Sequence, residues 1–273
     1  MNNPLRQYFR RPALHIKLPS GGKFYPAGTI NLPENGELPV FPMTAIDEIT
    51  SKTPDALFNG SAVVDIISSC IPGIIDPWVI PSMDMDTLLI AIRTATNGND
   101  LEVTSICPKC ENDGTYGINL INLLNTIQVD GYDKPLVVGE LKLNFRPLHY
   151  RQVNQGNLAQ FDIQREIEQF KNITDETERS KHSSNTMKKL TEMNMDLIAY
   201  TIESIILPSE IVTDREFITE YLHSCDRNTY ELIRKHVVTL RENTTTKPLK
   251  IKCVNCQHEY DQSLALNVSD FFG

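Results

Sequence analysis

The stretch Leu101-Glu-Val-Thr-Ser-Ile-Cys107-Pro-Lys-Cys110 is matched in outline, far along the chain, by Leu249-Lys-Ile-Lys-Cys253-Val-Asn-Cys256. In each copy, alternating apolar and polar residues typical of a strand lead into Cys-x-x-Cys, and a second short apolar stretch follows. This pattern is typical of a zinc ribbon, in which two β-hairpin turns each offer two thiolates to one tetrahedral metal ion. We call these turns the first knuckle (residues 107–110) and the second knuckle (residues 253–256).

The two knuckles can share a metal only if the chain between them returns to its starting point, because 142 residues separate Cys110 from Cys253. The predicted ligands are the four cysteines of the cysteine cluster, Cys107, Cys110, Cys253 and Cys256. Four thiolates fill a tetrahedral shell and leave no position for water, so the predicted Zn2+ is structural and not catalytic. Iron in the same cage is the less favoured alternative. His258 could replace a ligand, but a solvent-facing histidine on a strand is the favoured interpretation.

Composition restricts the class of protein. The chain has 273 residues, is 40% hydrophobic and carries a net charge of −9. It can therefore form a sizeable core, whereas the negative charge argues against broad nucleic-acid binding, which needs a basic face. No stretch approaches the roughly 20 apolar residues of a membrane span. Six cysteines, mostly in metal-type pairs and without an N-terminal apolar run, predict a reducing cytosol, and Cys70 and Cys225 are expected to be small core residues.

The predicted fold class is α+β. It combines a zinc-ribbon-like β-hairpin pair and a small N-terminal sheet with a large helical insertion between the two Cys-x-x-Cys knuckles. The expected divisions are an N-terminal α+β region with an extended arm (1–100), the zinc-ribbon sheet (101–147 and 248–266), the helical insertion (148–247) and a C-terminal tail (267–273).

Local patterns predict the individual elements. Strands are expected at 14–18, 29–32 and 40–42, and helices at 44–51, 54–58 and 61–70, followed by a helix from Asp84 or Asp86 to Thr96. The pattern of residues 136–145 predicts a hairpin, whose strands we expect to belong to the zinc-ribbon sheet. Long helices are expected at 149–171 and 184–206 around an exposed loop at 172–184. A capping box at Thr213–Glu216 predicts a helix to Ser224, and the last helix is expected at 227–242.

The sequence contains no recognisable catalytic motif. It has no phosphate-binding loop, no dinucleotide fingerprint and no His-Glu-x-x-His helix. Gly21-Gly22-Lys23 is not followed by a helix that could offer its N-terminus to phosphate. The six histidines are scattered, so we expect a binding or scaffolding protein and not an enzyme. The basic, aromatic segment 1–13 is expected either to contact a partner or to pack on its own domain. The two phenylalanines of the tail (267–273) are likewise expected to occupy a groove either of this chain or of a neighbour.

Several blocks occur in a fixed order along the first part of the chain. They are Ile16-Lys-Leu-Pro-Ser-Gly-Gly-Lys-Phe-Tyr-Pro26, residues 42–48, residues 53–60, residues 80–93 and the Cys-Pro-Lys-Cys knuckle. In these blocks the chain resembles the baseplate hub and hub-assembly proteins of T-even-like contractile-tailed bacteriophages (myoviruses). The resemblance covers residues 12–120 well, and the helical insertion and second knuckle more loosely.

This resemblance implies a non-enzymatic structural or assembly component of the phage tail baseplate hub. The implied partners are other baseplate and tail proteins (hub, tape measure or tube proteins), and an oligomer within the hub is compatible with it. The implied locations are the host cell cytoplasm during assembly and the virion tail baseplate. The family motif has no catalytic residues to carry over, and only the cysteine pairs transfer as a site.

The alternative is a zinc-ribbon nucleic-acid-binding or transcription-related protein. It requires a basic patch on the ribbon, for which Lys109, Lys250 and Lys252 are the local candidates. The surrounding acidic residues offset them, namely Glu102, Glu111, Asp113, Glu259 and Asp261.

Overall fold

The computed structural model of the chain describes residues 3–127, 131–170, 175–263 and 271. The chain divides into two compact units, unit 1 (Met1–Val129 and Thr244–Gly273) and unit 2 (Asp130–Asn243). Along the sequence, unit 2 is thus inserted between two segments of unit 1. Of the tail expected at 267–273, only Phe271 belongs to the described residues.

Within those ranges, helices are mixed with small antiparallel sheets, in agreement with the expected α+β class. The strands are β1 (Leu14–Lys17), β2 (Glu37–Val40), β3 (Asp100–Ile106), β4 (Asp113–Asn119), β5 (Leu136–Val138), β6 (Leu141–Phe145), β7 (Ile202–Ile206), β8 (Ile211–Val212), β9 (Leu249–Lys252) and β10 (Glu259–Gln262). The α-helices are α1 (Ala45–Ser51), α2 (Pro54–Phe58), α3 (Ser61–Cys70), α4 (Ser82–Asn97), α5 (Leu120–Leu124), α6 (Tyr150–Phe170), α7 (Glu176–Thr201), α8 (Arg215–Ser224) and α9 (Arg227–Thr244). Short 3-10 helices span Pro4–Tyr8 and Pro77–Val79.

In unit 1, α1, α2 and α3 coincide with the three predicted helices. Thr44 starts α1 with a capping box, because its hydroxyl accepts the backbone N–H of Asp47 and the Asp47 carboxylate accepts the backbone N–H of Thr44. The small N-terminal sheet is β1 paired antiparallel with β2. The strand expected at 29–32 is reduced to a single bridge between Ile30 and Ile74.

The core of unit 1 is built around α4. Residues 88–92 of this helix are all buried, and side chains from α3, including Ile66 and Ile67, are buried as well. A helix that is apolar around most of its circumference belongs in an interior, since no face of it gains from contact with water. The apolar sequence of α4 therefore fixes it at the centre of this unit.

The first turn of α4 carries a buried carboxylate that holds the Gly21-Gly22 loop. Asp84 is fully buried and accepts hydrogen bonds from the Ser20 backbone N–H (2.8 Å), the Ser20 hydroxyl (2.6 Å) and the Tyr25 hydroxyl (3.0 Å). Burial raises the pKa of Asp84 to about 6, although these hydrogen bonds oppose the shift. Within the same loop Phe24 has a φ of 68°, a left-handed conformation that is strained for a side chain of this size.

The segment that returns from unit 2 is also fixed to α4. The backbone N–H and hydroxyl of Thr246 both donate to the carboxylate of Asp86, at 3.2 and 2.5 Å. Farther along α4, the Arg93 side chain donates through Nε to the carbonyl of Phe271 at 2.9 Å, and Phe271 is buried. These contacts place β9 and β10 in the same unit as β3 and β4.

Unit 2 contains a four-stranded antiparallel sheet in the order β5-β6-β7-β8. The hairpin expected at 136–145 is present as β5 and β6, but its placement on the ribbon sheet is wrong, because β6 pairs with β7. A hairpin pattern specifies the local turn and leaves the next partner strand to tertiary packing. The buried faces of this sheet and of the surrounding helices form one hydrophobic cluster.

The single helix expected at 184–206 is wrong beyond Thr201, where α7 gives way to β7. Isoleucines at 202, 205 and 206 favour a strand because branching at Cβ restricts side chains in a helix. The end of α7 is capped by cations: Arg215 donates to the carbonyl of Ala199, and Arg146 donates through Nε to the carbonyl of Tyr200 at 3.3 Å.

The loop expected at 172–184 is also shorter than its polar sequence indicates. Asp175 caps α7 by accepting the backbone N–H groups of Thr177 and Glu178, so residues 176–184 are helical. Residues 172–174 of the expected loop lie outside the described residues. In the next helix the cap is Asp214, one residue after the predicted Thr213.

Candidate metal centre

The two knuckles are turns of two separate antiparallel hairpins in unit 1. The first hairpin pairs β3 with β4, ending with Ile106 opposite Asp113, and the second pairs β9 with β10, ending with Lys252 opposite Glu259. Each pairing ends immediately before the first cysteine of its knuckle. The hairpin geometry therefore projects both thiols of each knuckle from the same turn.

The backbones of the two knuckles repeat the same hydrogen bonds. The N–H of Cys107 donates to the carbonyl of Asn112 at 3.0 Å, and the N–H of Cys253 donates to the carbonyl of His258 at 2.9 Å. Within each turn a second bond closes the loop, from Glu111 to Cys107 and from Gln257 to Cys253. The two halves of the site are thus equivalent in local structure.

Equivalent residues of the two knuckles also adopt the same strained conformation. Glu111 and Gln257, each directly after the second cysteine, have φ values of 56° and 58°. A left-handed backbone is uncommon outside glycine and persists only when the surroundings impose it. Its recurrence at both positions indicates that the arrangement of the thiols depends on this turn.

The structure brings the two pairs of cysteines together, as the matching motifs predict. The four sulfur atoms of the cysteine cluster lie within 4.8 Å of one another. Across the two knuckles, Cys107 Sγ lies 3.7 Å from Cys256 Sγ, and Cys110 Sγ lies 3.6 Å from Cys253 Sγ. A tetrahedral ion with Zn–S bonds of about 2.3 Å has sulfur–sulfur edges of about 3.8 Å. The donor set and its spacing therefore fit one tetrahedral thiophilic ion.

The pKa values of two of the thiols are shifted in opposite directions. The backbone N–H of Cys256, followed by that of Asn255, stabilises the Cys253 thiolate and lowers the pKa of Cys253 to about 6. A backbone hydrogen bond from His258 acts in the same direction on Cys256, yet burial and then the neighbouring sulfurs of Cys110, Cys107 and Cys253 raise the pKa of Cys256 to about 12. The Cys253 thiolate therefore forms easily, whereas the Cys256 thiolate would need a bound cation to stabilise it near neutral pH.

Hydrogen bonds between the two hairpins support the cluster. The Ser105 hydroxyl donates to Gln262 Oε1 at 2.6 Å and accepts the Tyr260 hydroxyl at 3.0 Å. Nearer the sulfurs, Asn255 Nδ2 lies 3.8 Å from Cys110 Sγ. Sequence reasoning missed these residues, because nothing local indicates that a serine of β3 lies beside side chains of β10.

Other candidate ligands lie apart from the cluster. His258 contributes its backbone carbonyl to the second knuckle, while its ring stacks against Tyr260 with centroids 6.3 Å apart. Cys70 is fully buried beside Arg10, and burial raises the pKa of Cys70 to about 12. The Cys225 thiol donates to the carbonyl of Leu222 at 3.4 Å. Among the described residues, the metal-type group thus consists of the four predicted cysteines.

The surface of the hairpins does not favour the nucleic-acid alternative. Lys252, one of the three candidate cations, forms an ion pair with Glu259 at 3.8 Å, so part of the local positive charge is neutralised. A phosphate backbone requires several uncompensated cations on one face. In the part of the chain that the structure describes, no helix combines the length and apolarity needed to cross a membrane.

Comparison with known protein families gives a match over most of the chain. The model of a family described as T4 bacteriophage base plate protein matches residues 14–273. The match includes both units and both knuckles. No curated protein and no solved structure matches the chain.

Proposed function

Because this chain belongs to the T4 bacteriophage base plate protein family, we propose that it is a non-enzymatic structural or assembly component of the tail baseplate hub. The observation that carries the proposal is the family match over residues 14–273. A baseplate is built from interlocking protein subunits, so the function of such a chain lies in the surfaces it presents to neighbouring subunits and in their rigidity.

The proposed partners are other baseplate and tail proteins of the phage, namely hub, tape measure or tube proteins. The proposed locations are the host cell cytoplasm during assembly and the virion tail baseplate. Rigid-body docking suits unit 1, whose segments are fixed by hydrogen bonds to the buried Asp84 and the partly buried Asp86.

The cysteine cluster is proposed to hold one Zn2+ and to complete a zinc ribbon. The two sulfur–sulfur distances across the knuckles, 3.7 and 3.6 Å, support this proposal because they are close to the edge length of a tetrahedral zinc site. When bound, the ion would supply a link between two chain segments separated by 142 residues. Since four sulfurs fill the coordination shell, the chain offers the metal no open position, and Fe is the less favoured occupant of the same donors.

Elemental analysis tests the metal site. The purified chain should contain about one zinc per molecule, and the Cys110→Ser/Cys253→Ser variant should contain little and should lose the fold of unit 1. A matched control is Cys70→Ala/Cys225→Ser, which removes two thiols outside the cluster and should retain the zinc. Equal zinc contents in the parent and the cluster variant would refute the assignment.

Affinity purification from infected cells tests the proposed partners. A tagged chain should recover other baseplate or tail proteins, and the cluster variant should recover fewer of them if a folded ribbon supports docking. Recovery of no tail protein, together with salt-dependent binding to DNA or RNA, would contradict the baseplate assignment and support the nucleic-acid alternative.

A further inference from the structure

The first segment of the chain forms an arm with exposed apolar side chains. The 3-10 helix Pro4–Tyr8 has no buried residue, while Tyr8 and Phe9 are 77% and 57% exposed. A 3-10 helix of this length gains little stability from its own hydrogen bonds. Residues 3–9, called the arm below, also lie outside the family match, which begins at residue 14.

The base of the arm is nevertheless held firmly by Arg10. Its guanidinium donates to the carbonyl of Pro42 at 2.6 Å and to the carbonyl of Ser69 at 2.7 Å, and it lies 3.5 Å from the carboxylate of Asp47. The arm therefore leaves unit 1 beside the first turn of α1. A fixed base reduces the conformational entropy that the arm would lose on docking.

The exposed face of α1 begins at the same place. Ile46 and Ile49 lie one helical turn apart on this face and are 75% and 69% exposed. Ile46 directly precedes Asp47, and Phe9 directly precedes the arginine bound to Asp47. The apolar residues of the arm and of α1 thus start from adjacent points of the same surface.

Charge distinguishes the arm from the remainder of the chain. Residues 1–13 contain three arginines and no acidic residue, a net charge of +3. Since the whole chain carries −9, the remainder carries −12. Glu48 in α1 and Asp55 in α2 are exposed beside the apolar face. Within the described residues, neither Arg6 nor Glu48 forms an ion pair. The basic arm is therefore complementary to the acidic surface next to which it emerges.

We propose that two copies of this chain associate through this surface, with the arm of each copy seated on the α1 face of the other. A two-fold axis makes such a contact self-complementary. The exposed apolar residues of the surface are Leu5, Tyr8, Phe9, Ile46, Ile49 and Phe58. At about 150 Å2 per large side chain, of which between 53% and 77% is exposed, they offer roughly 600 Å2 per copy. Two copies would bury about 1,200 Å2, the lower limit for a stable specific interface.

Sedimentation of the zinc-loaded full chain between about 1 and 100 µM tests the proposal. We expect a dimer that weakens in high salt, because the pairing of arm arginines with Glu48 and Asp55 is exposed to screening. Arg6→Glu/Arg11→Glu and Glu48→Lys/Asp55→Lys should each weaken dimerisation by roughly tenfold. A mixture of these two charge-reversed proteins, or all four changes in one chain, should restore it. Lys181→Glu/Lys235→Glu is the matched control and should leave dimerisation unchanged.

Tyr8→Ser/Phe9→Ser keeps the test independent of folding, since no residue of the arm is buried. This variant should melt like the parent and remain monomeric over the same concentration range. A parent that is monomeric at 100 µM, or a dimer indifferent to both charge reversals, would overturn the proposal. It would also be overturned if the parent is monomeric and Tyr8→Ser/Phe9→Ser loses a different tail protein, since the arm would then serve that partner. The sedimentation results are read separately from the zinc analysis and from the recovery of tail proteins, so this proposal and the proposed function can fail independently.

Discussion

Replacing the buried Asp84 by asparagine should change how the stability of the protein depends on pH. The carboxylate is fully buried at the start of α4, and its pKa is raised by burial from 3.8 to about 6. Because the folded state binds this proton more tightly than the unfolded state, the contribution to stability is complete below about pH 4. It is lost as the pH rises through about 6.

The magnitude follows from the shift in pKa. A difference of about two pKa units corresponds to about 3 kcal/mol of unfolding free energy, lost between about pH 4 and pH 6. In Asp84→Asn the amide oxygen can still accept the backbone N–H of Ser20, and the side chain no longer ionises. The parent should therefore lose about 3 kcal/mol relative to the variant over this interval.

Urea unfolding at several pH values measures this difference, and Trp78, the single tryptophan, reports on unit 1. Subtracting the variant curve from the parent curve cancels the acid sensitivity of the cysteine cluster and of other carboxylates, which both proteins share. Nuclear magnetic resonance of the Asp84 carboxyl carbon gives the pKa directly. Parallel stability curves of parent and variant, together with a titration midpoint of Asp84 below about pH 4.5, would refute the conclusion that this buried carboxyl binds a proton tightly in the folded state.

Three further predictions concern other contacts. His236 lies against Phe145, has a buried Nε2 without a hydrogen-bond partner among the described residues, and has a pKa lowered by burial. The stability contributed by the neutral His236 ring is present above about pH 6.5 and is lost on acidification. The melting temperature of His236→Phe should therefore fall less than that of the parent when the pH is lowered from about 7.5 to about 5.5. A leucine at Gly156, whose added Cβ would lie 3.3 Å from Leu197, should destabilise unit 2 by roughly 1–3 kcal/mol in calorimetry, whereas leucine at the exposed neighbour Asn157 should not. Asp86→Ala, which removes the carboxylate oxygen that accepts both hydrogen bonds of Thr246, should accelerate hydrogen exchange of the Thr246 amide more than Asp86→Asn does; equal exchange rates would contradict an anchoring role.

Local sequence signals predicted the elements whose causes are themselves local. The helices predicted at 44–51, at 61–70 and up to Thr96 lie close to the observed limits of α1, α3 and α4. Alternating residues before each Cys-x-x-Cys predicted the hairpins of both knuckles, and the matching motifs predicted their convergence. These signals act within a few residues, so a single sequence is sufficient to detect them.

Errors arose where distant partners decided the outcome. Residues 202–206 follow α7 without a break and were predicted as its continuation, yet pairing with β6, to which their β-branched side chains are suited, makes them a strand inside a sheet. The hairpin at 136–145 was predicted correctly as a hairpin and wrongly as part of the ribbon, since its pattern is equally compatible with either sheet. The capping position near 213 moved by one residue, which is within the tolerance of a polar run that contains two capping residues.

The sequence by itself determined the two Cys-x-x-Cys motifs, their matching turns and the acidic character of a chain with no recognisable catalytic motif. Only the tertiary structure decided that Ser105 and Tyr260 join the hairpins, that Asp84 is buried under the Gly21-Gly22 loop, and that the arm emerges beside α1. The physical reason is the distance along the chain over which each kind of interaction acts. Propensities, caps and alternation are properties of neighbouring residues, whereas the burial of Asp84 and a hydrogen bond across 155 positions depend on how the whole chain packs.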